Sequence, residues 1–131
     1  TEVQHILYDT DDITLLKSWQ MAGIIRPDQR GVILVLGRYS KGHDSQPLAI
    51  APFAAALPPR TPWMLCAFGQ QEHACLLEAA SLGSNCRVGL ENSLVGPDGH
   101  TWRDNAASVT ALRGSLTNTA MRRLSHTSRI A

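Results

Sequence analysis

Hydrophobic and polar positions along this chain alternate between short apolar runs and longer amphipathic stretches. Apolar runs of strand length occupy residues 3–8, 31–37, 63–68 and 86–91. Between and after them the spacing predicts helices over residues 10–22, 47–57 and 72–82, and a last helix from about residue 105. Thr10 is the expected N-cap of the first helix. Pro52 predicts a kink in the second helix or a later start for it.

The alternation of strands and helices predicts an α/β fold with a parallel sheet. The run at residues 31–37 is apolar throughout, which is typical of a strand that is buried on both faces. An open doubly wound sheet and a (β/α) barrel both fit this pattern. No glycine-rich nucleotide-binding loop follows any strand, which disfavours the open sheet. Because a complete barrel needs eight strands and about 250 residues, four strands predict half of a (β/α)8 barrel of the TIM type.

Composition restricts the class of protein. The chain has 131 residues, 44% of them hydrophobic and 18% charged, which are values for one globular domain covering residues 1–131, with a frayed polar tail over 123–131. A net charge of +1 gives no electrostatic reason to expect nucleic acid or an anionic membrane as a partner. The longest apolar run is too short to span a bilayer, and no signal peptide opens the sequence. Cys66, Cys75 and Cys86 are expected as free thiols, so we expect a cytoplasmic protein.

The last predicted strand carries unexpected charges. Side chains alternate across a strand, so Arg87, Gly89 and Glu91 share one face, while the other face is apolar. At about 3.3 Å per residue, Arg87 and Glu91 are expected about 13 Å apart. Charges on a core strand need a partner or a function. They are therefore either an interior ion pair or part of a site.

Other polar residues at strand ends have two readings each. Arg38 ends the second strand and is either a solvated loop arginine or a ligand for substrate or coenzyme. Gly69 opens the third helix, whose N-terminus is able to receive a phosphate group. Asp9 either lines the same edge or caps the first helix. His73 and His100 are expected to face solvent.

A succession of short motifs resembles the beta-keto acid cleavage enzyme family over about residues 31–110. The motifs are Val35-Leu36-Gly37-Arg38-Tyr39, Leu57-Pro58-Pro59 with Pro62-Trp63, Cys66-Ala67-Phe68-Gly69, Arg87-Val88-Gly89-Leu90-Glu91-Asn92, Pro97-Asp98-Gly99 and Asp104-Asn105-Ala106-Ala107. Their order and spacing match the C-terminal half of that family, which folds as a (β/α)8 barrel. The resemblance therefore implies the C-terminal (β/α)4 half.

The resemblance implies a function and its residues. Family members hold a divalent metal, usually zinc, and react a beta-keto acid with acetyl-CoA to give acetoacetate and a new acyl-CoA. Glu91 matches the family's metal-binding glutamate, and Arg87 matches the arginine that orients the substrate carboxylate and promotes catalysis. Arg38, Gly69 and Asn92 are further candidates for binding substrate or coenzyme A.

Two departures from the family pattern affect this expectation. The residue after the glutamate is often aspartate in the family but here is Asn92, and an amide cannot act as a carboxylate base. The family's two other metal ligands are histidines spaced His-x-His, and this sequence contains no such pair. A zinc site wants three protein ligands, so activity is expected only in the complete barrel. The alternative is an inert half-barrel, or a non-catalytic module for small-molecule binding or assembly.

A half-barrel is also expected to need a partner. It leaves two strand edges unpaired and one apolar sheet face uncovered. The expectation is therefore a homo-oligomer, or pairing with a missing N-terminal half.

Overall fold

The structure is a computed structural model that describes residues 2–38 and 44–127, with residues 121–127 described by backbone alone. Tyr39 and His43 lie outside the described residues, as do residues 128–131 of the expected tail. Strands and helices alternate as the sequence predicts. Their bounds are β1 (Gln4–Leu7), α1 (Thr10–Met21), β2 (Gly31–Leu36), α2 (Ile50–Ala55), β3 (Trp63–Ala67), α3 (Glu72–Ser81), β4 (Asn85–Arg87) and α4 (Asn105–Thr127), and a 3-10 turn, Pro47–Ala49, precedes α2.

The four strands form one parallel sheet in the order β1-β2-β3-β4. Each strand therefore pairs with its neighbour in the chain. Parallel pairing places the carboxyl ends of all four strands at the same edge of the sheet, which we call the carboxyl edge. A sequential parallel order is the order found in a (β/α) barrel. The fold is thus α/β and consistent with half of such a barrel.

The main hydrophobic core lies between one face of the sheet and the helices. Leu34 and Leu65 contribute from the middle strands and are completely buried. Each of the four helices adds buried side chains to this core; they include Ile13, Leu16, Ile50, Phe53, Cys75, Leu76, Ala79 and Leu112. The layered packing explains why β2 reads as apolar throughout, since its other face packs as well.

The opposite face of the sheet, which we call the open face, has a smaller cluster of its own. Ile33, Val35 and Cys66 pack there with Met64 and Phe68, and none of the described helices contributes to this cluster. The register aligns Val35 with Cys66 and Cys66 with Arg87, so Arg87 lies on the open face. This confirms that Arg87 projects from the side away from the helices.

Two helix starts differ in detail from the sequence interpretation. The prediction of Thr10 as N-cap is wrong: Asp9 caps α1, and its carboxylate accepts hydrogen bonds from the backbone N–H groups of Asp11 and Asp12, both at 2.9 Å. Capping is therefore the observed role of Asp9. The α-helical part of the second helical segment begins at Ile50, so Pro52 falls in its first turn, where its missing N–H costs nothing. This confirms the later start.

The last strand is shorter than predicted. It ends at Arg87 instead of Glu91, and residues 89–92 bend and turn. The alternation argument consequently holds for Arg87 but fails for Glu91. The apolar residues that suggested a longer strand, Val88 and Cys86, pack against the main core instead.

The state of the three cysteines and the hydropathy of the helices can each be compared with the sequence predictions. Cys66 and Cys75 are buried, Cys86 is half-buried, and all three are free thiols, as expected. In the part of the chain that the structure describes, no helix combines the length and the hydropathy needed to cross a bilayer.

Leu34 and Leu48 provide a matched test of this core. Leu34→Ala should destabilise the fold by about 2–5 kcal/mol, because the side chain is fully buried between β-strands and helices. Leu48→Ala should change the free energy of unfolding by less than about 0.5 kcal/mol, because Leu48 is 91% exposed. Chemical denaturation measures both. Equal losses in the two variants would contradict the assigned core.

Candidate functional site

Three charged side chains meet at the carboxyl edge of the sheet, on the open face. Arg87 is the last residue of β4, and Arg38 lies just beyond the end of β2. Glu91 follows β4 in the turn. Strands of a parallel sheet that run side by side bring such residues together even though they are far apart in sequence. Barrel enzymes carry their active sites at this edge.

Glu91 bridges the two arginines. Its Oε2 accepts a hydrogen bond from Arg87 Nη2 at 2.7 Å, and its Oε1 lies 3.6 Å from Arg38 Nη1. The guanidinium of Arg38 also stacks over Phe68, with its central carbon 5.2 Å from the ring centroid. Two cations and one anion leave this cluster with a net charge of +1, which favours an anionic ligand.

The expected 13 Å separation of Arg87 and Glu91 is wrong. The two side chains form a direct ion pair because β4 ends early and the chain turns back on itself. The pair is also more open than a core strand would allow. The Glu91 side chain is 60% exposed and that of Arg87 is 35% exposed. Both groups are consequently within reach of a ligand at the carboxyl edge.

Backbone hydrogen bonds hold the turn that carries Glu91. The N–H of Asn92 donates to the carbonyl of Gly89 at 2.9 Å, and the N–H of Leu90 donates to Asn105 Oδ1 at 2.8 Å. A Cβ on Gly89 would lie only 2.9 Å from Asn105 Oδ1, so a larger residue here would displace the amide that Leu90 bonds. The start of α4 is thereby tied to the turn.

A buried carboxylate lies beneath the same turn. Glu72, the first residue of α3, is only 1% exposed. Its Oε1 accepts hydrogen bonds from the Gly89 N–H at 3.2 Å and from Asn92 Nδ2 at 3.1 Å. Burial raises the pKa of the Glu72 carboxyl above its usual value, and the two hydrogen bonds oppose that rise.

Sequence reasoning missed Glu72, although a signal was present. Glu72, Cys75, Leu76 and Ala79 have the spacing of one helix face, and the last three face the main core. A charged residue at the first position of an apolar helix stripe indicates a buried group with specific partners.

Asn92 and Gly69 lie below the charged cluster and are joined to each other. Asn92 is 6% exposed, and its backbone carbonyl accepts a hydrogen bond from the Gly69 N–H at 3.0 Å. Gly69 therefore does not offer its own N–H to an anion. Gly69 also lines a cleft of about 240 Å³ together with Ser45, Phe68 and Gln70. The predicted ligand contacts of both residues stay predictions.

His73 is not solvent-facing, and that prediction is wrong. It is 3% exposed, stacks on Trp102 with the ring centroids 5.2 Å apart, and places Nε2 at 3.3 Å from Ser108 Oγ. Burial lowers the pKa of His73, because the charged ring loses its hydration. The imidazole belongs to the packing of α3 against the start of α4. His100, in contrast, is exposed as predicted, with 84% of its side chain accessible.

The described residues do not by themselves fit a zinc ion. Among them there is no group of three or more His, Cys, Asp or Glu side chains able to hold a metal. Glu91 brings one carboxylate, and both of its oxygens face guanidinium groups. A zinc site wants three protein ligands. The assignment of Glu91 as a metal ligand therefore stays a prediction.

The pH dependence of stability tests the burial of Glu72. A carboxyl whose pKa is higher in the folded than in the unfolded protein binds its proton more tightly when folded. The stability of the wild type relative to Glu72→Gln should therefore fall as the pH rises above 4.5, the usual pKa of the carboxyl, and level off above the raised native value. Denaturation of both proteins between about pH 4 and pH 8 measures this difference. A difference that grows with pH would disprove the assignment.

Comparison with known proteins adds an independent result. The family model described as beta-keto acid cleavage enzyme matches residues 1–127. That match includes β1 and α1, which precede the motifs singled out in the sequence. A search of curated proteins finds no match. Since the family model covers nearly all of the sequence, the chain belongs to the beta-keto acid cleavage enzyme family.

Proposed function

We propose that this chain binds the carboxylate of a beta-keto acid in a beta-keto acid cleavage reaction. In that reaction a beta-keto acid and acetyl-CoA give acetoacetate and a new acyl-CoA, so the chain acts as an acyltransferase. Family members generally depend on a metal and use acetyl-CoA. The observation that carries the proposal is the Arg87 guanidinium, held by Glu91 at the carboxyl edge.

The chemistry of arginine explains why Arg87 suits this role. A guanidinium presents a planar fork of donors that matches both oxygens of a carboxylate. In the described part of the chain, the only hydrogen bond that its side chain makes is from Nη2 to Glu91. Its other donors remain for a ligand. Arg38 places a second guanidinium 3.6 Å from the same glutamate.

Glu91 has a defined part in this proposal. Its carboxylate orients Arg87 through the 2.7 Å hydrogen bond. We retain zinc as the proposed cofactor and Glu91 as one proposed ligand, with the other ligands supplied from outside the described residues. Because those residues do not form a metal site alone, no chemical step is assigned to the ion.

Acetyl-CoA is the proposed co-substrate. The cleft beside Gly69 lies at the carboxyl edge next to Phe68, whose ring contacts Arg38. We propose that this cleft receives part of the coenzyme. Gly69 and Asn92 then contribute by supporting the floor of the site. The three free thiols favour a reducing compartment, and we propose the cytoplasm.

We further propose that the chain pairs with a second (β/α)4 unit, either another copy of itself or a separate N-terminal half. Among the described residues the helices pack on one face of the sheet, and Ile6 on the other face is 49% exposed. Within the same residues β1 and β4 are the outer strands of the sheet, and each pairs with a strand on one side. Pairing β4 with the β1-equivalent strand of another unit would satisfy these edges and cover the open face.

The alternative is a module that binds a carboxylate without catalysis. The exposure of Glu91 and the absence of a metal-binding group among the described residues favour it. An assay separates the two functions. Incubation with zinc, acetyl-CoA and a panel of beta-keto acids should release acetoacetate if the assembly is an enzyme, and Glu91→Ala should abolish that release.

Carboxylate binding is tested with Arg87→Ala. Loss of a charged hydrogen-bond donor should weaken acetoacetate binding by about 10- to 100-fold, as measured by isothermal titration calorimetry. Arg26→Ala is the matched control, since Arg26 forms an exposed ion pair of 2.6 Å with Asp28 in the loop before β2, at the opposite edge of the sheet. Its affinity should equal that of the wild type. Acetone, which lacks the carboxylate, should bind neither variant measurably. Equal affinities of Arg87→Ala and the wild type would refute the proposal.

Self-association is tested on the open face. Ile6 lies on that face, opposite Ile33 in the register, and is 49% exposed. Size-exclusion chromatography should show the wild type above the 14.2 kDa of one chain, and Ile6→Asp should shift it towards the monomer because a buried charge opposes association. Leu48→Asp, on the exposed 3-10 turn, should have no effect. A monomeric wild type that binds no hydrophobic dye would exclude the pairing.

A further inference from the structure

Glu72 and Asn92 form a carboxylate–amide pair directly below the charged cluster. Both are buried, at 1% and 6% exposure. Glu72 Oε1 receives hydrogen bonds from the Gly89 N–H and from Asn92 Nδ2. Within the described chain, Glu72 Oε2 is buried and has no hydrogen-bond partner. A carboxylate in this position costs free energy that a neutral side chain would not. The buried carboxyl of Glu72 therefore indicates a specific structural or functional role.

The amide of Asn92 is saturated by groups that require its present orientation. Nδ2 donates to Glu72 Oε1 at 3.1 Å and to the backbone carbonyl of Arg87 at 3.2 Å. Oδ1 accepts a hydrogen bond from Cys66 Sγ at 3.4 Å. An aspartate has the same shape as asparagine but no N–H donors. It would leave the Arg87 carbonyl without its donor and set a second carboxylate against Glu72.

We propose that Glu72 is a positioning residue for Arg87, that it acts through Asn92 and Gly89, and that an amide at position 92 is essential in this chain. Asn92 bonds the carbonyl of Arg87 and directly follows Glu91 in the chain. The place of Asn92 consequently sets both ends of the Arg87–Glu91 ion pair. That Arg87 binds a carboxylate rests on the proposed function. That Glu72 and Asn92 position Arg87 does not.

The same contacts explain why an amide suits position 92 in this chain. A carboxylate at 92 and one at 72 would repel each other in a buried place. This chain has its carboxylate on α3 and its amide in the turn. The pair therefore has one carboxyl group while Asn92 retains two N–H contacts, one to Glu72 on α3 and one to the Arg87 carbonyl at the end of β4. Asn92 is then a matched partner of Glu72 and not a defect of the site.

Three variants and one control test this pair. Asn92→Asp should weaken acetoacetate binding by about tenfold in calorimetry, and it should broaden or shift the Arg87 side-chain resonances in ¹⁵N NMR spectra, because the guanidinium loses its fixed partner. Glu72→Gln with Asn92→Asp removes the repulsion between two carboxylates but still leaves the Arg87 carbonyl without its donor, so it should be more stable than Asn92→Asp while the Arg87 resonances stay shifted and binding stays weak. Glu72→Gln alone should have a smaller effect than Asn92→Asp. Asn118→Asp, the same substitution on an exposed residue of α4, should change neither.

The outcomes separate a positioning role from a structural one. If Asn92→Asp lowers stability but leaves the Arg87 resonances and the affinity for acetoacetate unchanged, the proposal is overturned. If Asn92→Asp does not fold, the double variant is measured in its place: shifted Arg87 resonances with weakened acetoacetate binding support the proposal, and resonances and affinity equal to those of the wild type overturn it. If the wild type does not bind acetoacetate while the Arg87 resonances respond as stated, the positioning role stands and the proposed function fails.

Discussion

The Arg87–Glu91 pair depends on one short turn, and the buried carboxyl of Glu72 lies beneath that turn. Two hydrogen bonds from the turn converge on a single oxygen of this group. A third contact, from Asn92 to the Arg87 carbonyl, fastens the end of β4 to the same point. Without this anchor, nothing in the apolar packing would determine where Glu91 lies. Hydrophobic burial is non-directional, so it can hold β4 against the core but cannot aim a guanidinium.

A site at a sheet edge needs such directional support because its own charges are exposed. Exposed ion pairs contribute little to stability, since water screens them and long side chains lose entropy on pairing. Glu91 and Arg87 therefore cannot organise themselves. The rigid part of the arrangement lies one layer below, where Glu72, Asn92 and Gly89 are all buried. The exposed charges of Arg87 and Glu91, which a ligand is able to contact, are thus separate from the buried carboxyl of Glu72 beneath them.

The sequence predicts the fold far better than the details of the site. The hydrophobic period and the glycine and proline residues predict the existence and order of every strand and helix, because an apolar run between such residues has few other solutions. They fail at β4, since Val88 and Leu90 continue an apolar alternation that the chain abandons after Arg87. The Leu90 N–H donates to Asn105 Oδ1 across that turn, and contacts of residues distant in sequence leave no periodic signal. The burial of His73 was invisible for the same reason, since its partners Trp102 and Ser108 come from another part of the chain.

The sequential strand order also bears on how the chain acquires its structure. Every strand pairs with the strand next to it in the chain, so each new contact closes only the span of one intervening helix. Closing a short span loses little entropy, and sheets with such local pairing form faster than those that join distant segments. The sheet is able to grow one β/α unit at a time, from the amino-terminal end, during synthesis. The turn that carries Glu91 can close fully only after Asn105 at the start of α4 has also emerged, because Asn105 Oδ1 accepts the Leu90 N–H.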